Sequence, residues 1–322
     1  MRNSSSNTTS RAVSGSPLLI SAFMALAMAV ATPSAFADSK FSFTWGKRVQ
    51  GSGSIVEVQR PLPAFDRINV QDGIKVILRR GAEQKLTIKA DDNIEPLIET
   101  LVEGSTLQVR TRPKTSINTR NAMLVSIDYT QLNAMSISDG VSAELDGVKS
   151  TSFQAAVHDG SQLRIGDVAV NDFELMVHDG ARATVGNVRS VAGQRYRVVD
   201  GARLTVESVT GERVSLAVAD GAQASVRAVD TKSIEISVAD GARADVAGIA
   251  HQQNYALADA ASVDAQKLQG TSAHVRAADG SSLKLGLVQT LDVDVQDGSS
   301  VRYTGEPAIT KRVRDGGSLR RI

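Results

Sequence analysis

The chain has 322 residues, 36 basic against 35 acidic side chains, and a formal net charge of +1. That balance offers no broad electrostatic attraction for nucleic acid. It has no cysteine, which excludes disulfides, thiolate catalysis and a lipid-anchoring cysteine, and only 4% aromatic residues, too few for a large globular core.

The N-terminus carries Arg2 and Arg11, an uncharged apolar run from Leu18 to Ala31, and Ala35-Phe36-Ala37 just before Asp38. That order is the pattern of a cleaved export signal over residues 1–37. The run is shorter than the roughly 20 residues that span a bilayer. Cleavage would remove two arginines and no acidic residue, so the balance stays near neutral. Residues 38–53 form a leader that holds Trp45, the sole tryptophan. No second long apolar run occurs after it, so no stable membrane span is expected after cleavage.

Residues 54–134 read as an irregular β-rich section. Ser54–Gln59, Arg67–Val70, Ile74–Leu78, Leu86–Ala90, Leu107–Arg110 and Leu124–Tyr129 are short β-rich runs divided by turn residues. Asp91 to Leu101 suits a short helix or a turn, and the polar, basic Arg112 to Asn121 a loop. This section is expected to supply irregular opening coils and to cover the N-terminal end of a stack formed by residues 135–322.

From residue 135 an aspartate recurs about every twentieth position: Asp139, Asp159, Asp179, Asp200, Asp220, Asp240, Asp259, Asp279, Asp297 and Asp315. Nine precede glycine, and Asp259 precedes Ala260. A fixed period of this size predicts a solenoid. Aligned on the aspartate, apolar residues recur four and two positions before it, and four, six and nine after it. The nine-after column runs Val148, Val168, Val188, Val209, Val229, Ile249, Leu268, Val288. Alternation with polar residues predicts strands with one buried face. The expected fold is all-β, a single-stranded parallel β-helix of about ten coils of about 20 residues over 135–322, with three inward walls. Glycine suits the corner because it takes positive φ, and aspartate because its side chain can bond backbone N–H groups of the turn. Lys311 and Arg321 interrupt the inward pattern in the last coil, as a charged cap against edge pairing would.

The residues also resemble a known family. The carriers are Phe65-Asp66-Arg67-Ile68-Asn69-Val70, Val76-Ile77-Leu78 before Gly81, Ala90-Asp91-Asp92-Asn93-Ile94, then Val301-Arg302-Tyr303-Thr304-Gly305-Glu306-Pro307 and the closing Asp315-Gly316-Gly317-Ser318-Leu319. Over roughly Ile55 to Ile322 the chain is similar to the "putative auto-transporter adhesin, head GIN domain" family. The resemblance implies an exported β-helical protein of unknown function. That family's corner reads Ser-Gly-Ser-Gly, whereas this chain has Asp-Gly-Ala or Asp-Gly-Ser.

The aspartate ladder is the first candidate site. Carboxylates stacked at coil spacing repel by roughly 1 kcal/mol per pair even in water. Relief is expected from turn hydrogen bonds and from Arg182, Arg203 and Arg243, each three residues after its aspartate. The alternative is a row of calcium ions on Asp159, Asp179, Asp200, Asp220 and Asp240. The nine-residue repeat of calcium-bound β-rolls is absent, so no metal and no cofactor is expected. His158 and His178 precede adjacent aspartates and read as two surface imidazoles rather than a transition-metal cluster. His251 and His274 have no matching partners. No nucleophile set, phosphate loop or zinc signature is present, and the aspartates recur too evenly to single out an acid–base pair.

The expected protein is therefore an exported, non-enzymatic cell-envelope or surface protein, periplasmic or secreted. It would act as an adhesin-like binding module that offers β-helix faces to an envelope or extracellular polysaccharide or to a protein. The alternatives are a purely structural envelope component and, behind it, a polysaccharide lyase or hydrolase.

Overall fold

The computed structural model describes residues 47–322. The export signal over 1–37, residues 38–46 of the leader and Trp45 lie outside the described residues. The described chain is all-β apart from one 3-10 turn at Glu95–Leu97, and it forms a parallel β-solenoid of about ten coils. The strand Ala134–Ile137 pairs in register with Gln154–Val157 on one side. Each later coil then lies parallel on the one before, down to Ala308–Val313 and Ser318–Arg321.

Only one corner of each coil is a tight turn. Between corners the chain runs as one long strand that bends, as in Gln162–Val177 or Arg203–Val218. At the tight corner both central residues are left-handed. The aspartate φ values lie between +48° and +67°, and those of the following glycines between +65° and +75°. Positive φ at both positions is a type I′ turn, which favours Asp or Asn followed by Gly. The turn closes through bonds such as Ala181 N–H to His178 O at 3.1 Å. The corners also stack: Gly160 N–H donates to Asp179 O at 2.9 Å, Gly180 to Asp200 and Gly201 to Asp220. The repeat thus reflects a backbone requirement. Along the ladder from Asp139 to Asp315, no aspartate side chain bonds a backbone N–H group, contrary to the sequence expectation.

The inward columns are buried as predicted up to the last coil, where Val313 is 41% exposed and Leu319 only half-buried, and the earlier coils have one exception. Ile249 is 48% exposed. The coil that starts at Asp240 is one residue short, so Gly248 rather than Ile249 lies opposite Val229 and Leu268. A Cβ on Gly248 would stand 2.2 Å from the Val229 carbonyl oxygen. Two further columns line the core. Two residues after each aspartate stand Val141, Ser161, Ala181, Ala202, Ala222, Ala242, Ala261, Ser281 and Ser299, all buried. Six before stand Phe153, Phe173, Gln194, Val214, Ile234, Gln253, Ala273 and Leu291. Gln194 and Gln253 are polar residues in this core. Each accepts a hydrogen bond at 2.7 Å from a buried tyrosine hydroxyl, Tyr196 and Tyr255 respectively.

The first regular coil lies earlier than the period suggests. Arg67–Val70, the corner Asp72-Gly73 and Lys75–Arg80 pair in register with Ala134–Ile137 and Ser142–Lys149. Between these coils the chain makes an excursion that builds the end cap. Thr106–Thr111 and Leu124–Tyr129 stack on the outer side of Arg67–Val70 and Lys75–Arg80. Ile55–Arg60, Lys85–Asp91 and Ile98–Glu103 add antiparallel to that layer. The segment expected as a loop contains a strand, Thr115–Asn118, which pairs parallel with Lys47–Gln50.

The motif Asp91-Asp92-Asn93 clamps the incoming chain. Asp91 accepts from Thr119, from Asn121 at 2.7 Å and from Gly53 N–H at 3.1 Å. Ser52 N–H donates to Asn93, whose side chain donates to Gln50 O. Hydrogen bonds from Thr119 and Asn121, with Gly53 N–H, hold the Asp91 carboxyl below its ordinary range against the opposing effect of burial. At the other end of the Ile55–Arg60 strand, Arg60 pairs with Glu95 at 2.6 Å and also donates to the carbonyls of Glu95 and Ile98.

Candidate binding face

All eleven corner aspartates, counting Asp72, are exposed and point away from the core. Among the described residues none of them forms an ion pair with a lysine or arginine, and Arg182, Arg203 and Arg243 form none at all. The expected arginine relief is therefore not made. Relief comes instead at four corners. Asp72 accepts from Thr111 N–H and hydroxyl, Asp139 from Ser138, Asp159 from His158 and Asp179 from His178. Asp159, Asp179, Asp200, Asp220 and Asp240 stand in line along the edge. Among the described residues no group of three or more His, Cys, Asp or Glu side chains is placed to hold a metal ion.

The strands that lead into the corners form one long outer face, with outward residues five and three positions before each aspartate. Near the capped end this face has a depression of about 530 Å³. Its floor is Ala134, Ser136 and Ala156, where side chains are too short to fill the space. Arg67, Asn69 and Gln108 form one rim, and Gln154, Glu174 and Met176 the other. Asn69 donates to Gln108 at 2.8 Å, and Gln154 donates to Glu174 at 3.4 Å. The Arg67 guanidinium makes no hydrogen bond or ion pair among the described residues. Met176, 38% exposed, adds an apolar edge. A flat floor with a cation, amides and a carboxylate at the rims can hold an extended ligand by several hydrogen bonds at once.

Two smaller depressions continue along the same face. One, of about 230 Å³, lies over Ala256 and is bounded by Arg276 and Asp294. The other, of about 400 Å³, is bounded by Asn254 and the pair His274–Asp292, which meet at 3.0 Å. That pair gives His274 a carboxylate neighbour. It joins adjacent strands 18 residues apart, a spacing set by the shortened last coils.

Asp264, on an outer strand of the solenoid, is held toward the anion. Burial raises the pKa of Asp264, but hydrogen bonds from Lys284 and Gln266 N–H and the charges of Lys284 and Lys267 outweigh it and lower the net value. A general acid needs the opposite shift. Burial also pushes the Tyr129 phenol up to about 12 and raises Tyr196 and Tyr255. No helix among the described residues is long and apolar enough to cross a membrane.

The sequence motifs did not point to the depression. Its floor residues look like ordinary surface alanine and serine, and its rims come from coils that are distant in the chain. The only available signal was the run of small residues at the outward positions of two successive coils.

Comparison with known proteins agrees with this architecture. A family model described as "putative auto-transporter adhesin, head GIN domain" matches the chain twice, over residues 64–192 and 187–307. No curated protein matches. Among solved structures, a "putative adhesin" from Parabacteroides distasonis is 15% identical, with a TM-score of 0.52 over 86% of this chain and 100% of its own. A "putative adhesin" from Parabacteroides merdae is 14% identical with a TM-score of 0.49, covering 86% and 100%. A "putative lipid binding protein" from Parabacteroides distasonis is 15% identical with a TM-score of 0.46, covering 86% and 100%. The first of these shares the fold. With both family matches running together from residue 64 to residue 307, the chain belongs to the "putative auto-transporter adhesin, head GIN domain" family.

Proposed function

We propose that this protein is an exported, non-enzymatic binding module of the cell envelope or surface, adhesin-like, which holds a polysaccharide or protein on the face that leads into the corners. The observation that carries the reading is the depression between Arg67 and Glu174. It combines a floor of small residues with the unpaired Arg67 guanidinium and with amide and carboxylate groups that bond only one another or a rim arginine, across five coils. Extended polymers suit such a site because many weak polar contacts add along a rigid rod. Catalysis finds less support, because Asp91 and Asp264 are both held toward the anion and no acid–base pair converges in the depression.

The test is binding of the purified protein to an array of envelope and extracellular glycans, and to envelope fractions. Retention on a polymer that Gln154→Ala with Glu174→Ala weakens about tenfold or more, as loss of 1.4 kcal/mol would, supports the reading. Retention on no polymer or protein would favour a purely structural envelope component. Shortening of a bound polymer, abolished by a single Asp→Asn, would favour a lyase or hydrolase.

A further inference from the structure

One coil of the stack carries an extra residue. Its corners, Asp179 and Asp200, lie 21 residues apart, against 20 in the coils on either side. The surplus is absorbed at the bend after Arg189, where the pairing register slips past Val170 on one neighbour and between Ser190 and Gln194 on the other. The bulge is held in place. Ser190 is buried and its hydroxyl donates to Gly193 O at 2.9 Å, while Gln194 Nε2 donates to Thr210 O at 3.0 Å. The next coil closes on it through Gly211, where a Cβ would stand 2.5 Å from Ser190 O. What the bulge presents outward is Val191, 69% exposed and the most exposed large hydrophobic residue among those described. Bulges that re-aim a side chain in this way gather beside binding and active sites.

Val191 borders a depression of about 400 Å³, within the roughly 300–1,000 Å³ of small-ligand sites. Lys149, Ala169, Arg189 and Thr210 succeed one another in register across it. Ala169 keeps the floor low. Lys149 and Arg189 flank it at two coil spacings, roughly 10 Å along the stack, so their long side chains can meet over it. Among the described residues neither cation forms an ion pair or a side-chain hydrogen bond. Asp167 and Asp172, the acidic residues closest in sequence to the floor, pair with neither, and Asp167 is engaged by Asn187 at 2.8 Å. Thr210 and Asn171, both exposed, add a hydroxyl and an amide.

We infer that Lys149 and Arg189 form a subsite for the carboxylate of an acidic sugar unit, with Ala169 and Val191 against its ring. A guanidinium fork and an ammonium on opposite sides of one small floor match an oxyanion, which takes two parallel N–H bonds from the fork. A bare oxyanion makes no use of an apolar wall. A sugar ring does, because one of its faces is lined by C–H groups that valine can cover. The ring hydroxyls then find Thr210 and Asn171. The subsite shares no residue with the depression between Arg67 and Glu174, so it stands or falls separately from that site.

The test is calorimetric titration of the purified protein, at low salt and neutral pH, with a trimer of galacturonic acid, with its methyl ester and with sodium sulfate. Saturable binding of the trimer is expected, at least tenfold tighter than that of the ester, which keeps the rings and loses the charge. Lys149→Gln with Arg189→Gln should weaken the trimer at least tenfold, and Arg243→Gln, which removes a like charge elsewhere, should leave it unchanged. Val191→Ser should weaken the trimer about threefold and leave sulfate unaffected. The substituted side chains are exposed, and unchanged unfolding midpoints show that the variants are folded. Absence of trimer binding overturns the inference, as does binding that survives the double substitution. Sulfate held as tightly as the trimer, with Val191→Ser affecting neither, overturns the sugar and leaves a site for a bare anion.

Discussion

Asn133 Nδ2 donates to Asp66 Oδ2 at 2.8 Å across 67 residues of sequence. The two residues occupy the same place in adjacent coils, Asp66 at the start of the first coil and Asn133 where the chain returns after building the cap. Asn133 N–H also donates to Asp66 O at 2.8 Å. The other carboxylate oxygen of Asp66 is buried without a partner, so this bond carries much of what compensates the charge. Asn133→Ala should destabilise the protein by about 1–3 kcal/mol in denaturant unfolding. A loss below about 0.5 kcal/mol would mean the side-chain bond does not hold the excursion closed.

Ala260 is the one corner residue that follows its aspartate without being glycine, and its φ is +58°. An L residue in that region is strained by roughly 1–2 kcal/mol, part of which the greater unfolded-state freedom of glycine cancels. Ala260→Gly should therefore stabilise by about 1 kcal/mol, while Gly241→Ala, at φ +69°, should lower stability by a similar amount. Thermal unfolding of both variants checks the opposite signs.

The unpartnered stretch of the ladder gives a third expectation. Asp200, Asp220 and Asp240 accept no side-chain hydrogen bond, and they succeed one another at coil spacing. Asp220→Asn keeps a residue that tolerates the left-handed region and removes repulsion from two neighbours. It should raise stability by less than about 1 kcal/mol at low salt and by nothing once the ladder is screened. Unfolding midpoints in excess calcium and in EDTA should coincide. A calcium-dependent rise that Asp220→Asn removes would instead assign the ladder to bound ions.

Tyr196 and Gln194 form a closed polar pair inside an apolar column. Tyr196→Phe leaves the Gln194 amide oxygen without its donor in a site that water does not reach, which should cost about 1–3 kcal/mol. Tyr303→Phe, in the partly exposed last coil, should stay within about 0.5 kcal/mol. Equal losses in urea unfolding would show that ring packing, not the hydroxyl, decides both.

The Asp91 clamp predicts an acid limb. Its folded pKa lies below the ordinary aspartate value of 3.8, so its contribution is fully present above that value. The contribution is lost as pH falls from 3.8 through the lower folded pKa. Native and Asp91→Asn proteins should thus differ most in midpoint at neutral pH and converge in acid. A difference that widened below pH 3.8 would reverse the sign of the argument.

Much of the solenoid was legible in the sequence because one backbone constraint and five apolar columns repeat together. The left-handed corner admits few residues, so Asp-Gly marks every coil but the one at Asp259-Ala260. The features that stayed hidden did so for physical reasons. Asp72-Gly73 belongs to the same ladder, but the cap excursion separates it from Asp139 and breaks the period. The column from Val141 to Ser299 is buried yet, after Val141, made of Ala and Ser, which look neutral in a hydropathy pattern. Gln194 and Gln253 resemble surface residues until their tyrosine partners are seen. Ile249 was misplaced because a single missing residue rotates the rest of its coil. The aspartates pointed correctly to a corner, but their side-chain partners depend on neighbouring residues, such as the preceding histidine at two coils and serine at one, while alanine precedes four and offers none. The depression depends on which coils lie side by side at the capped end, information that no local window holds.

The two ends of the stack differ, and this bears on how such a molecule changes length. One end is sealed by antiparallel strands and carries the depression. The other ends in Ala308–Val313, exposed at every residue, and Ser318–Arg321, with Lys311 and Arg321 at positions that are apolar in earlier coils. Each coil between them contacts only its neighbours and begins and ends at the same turn. Tandem duplication or loss of one aspartate-to-aspartate unit would shift everything beyond it by one coil spacing and leave the sealed end untouched. Reach and recognition can then vary separately, as in a ruler whose zero mark is fixed.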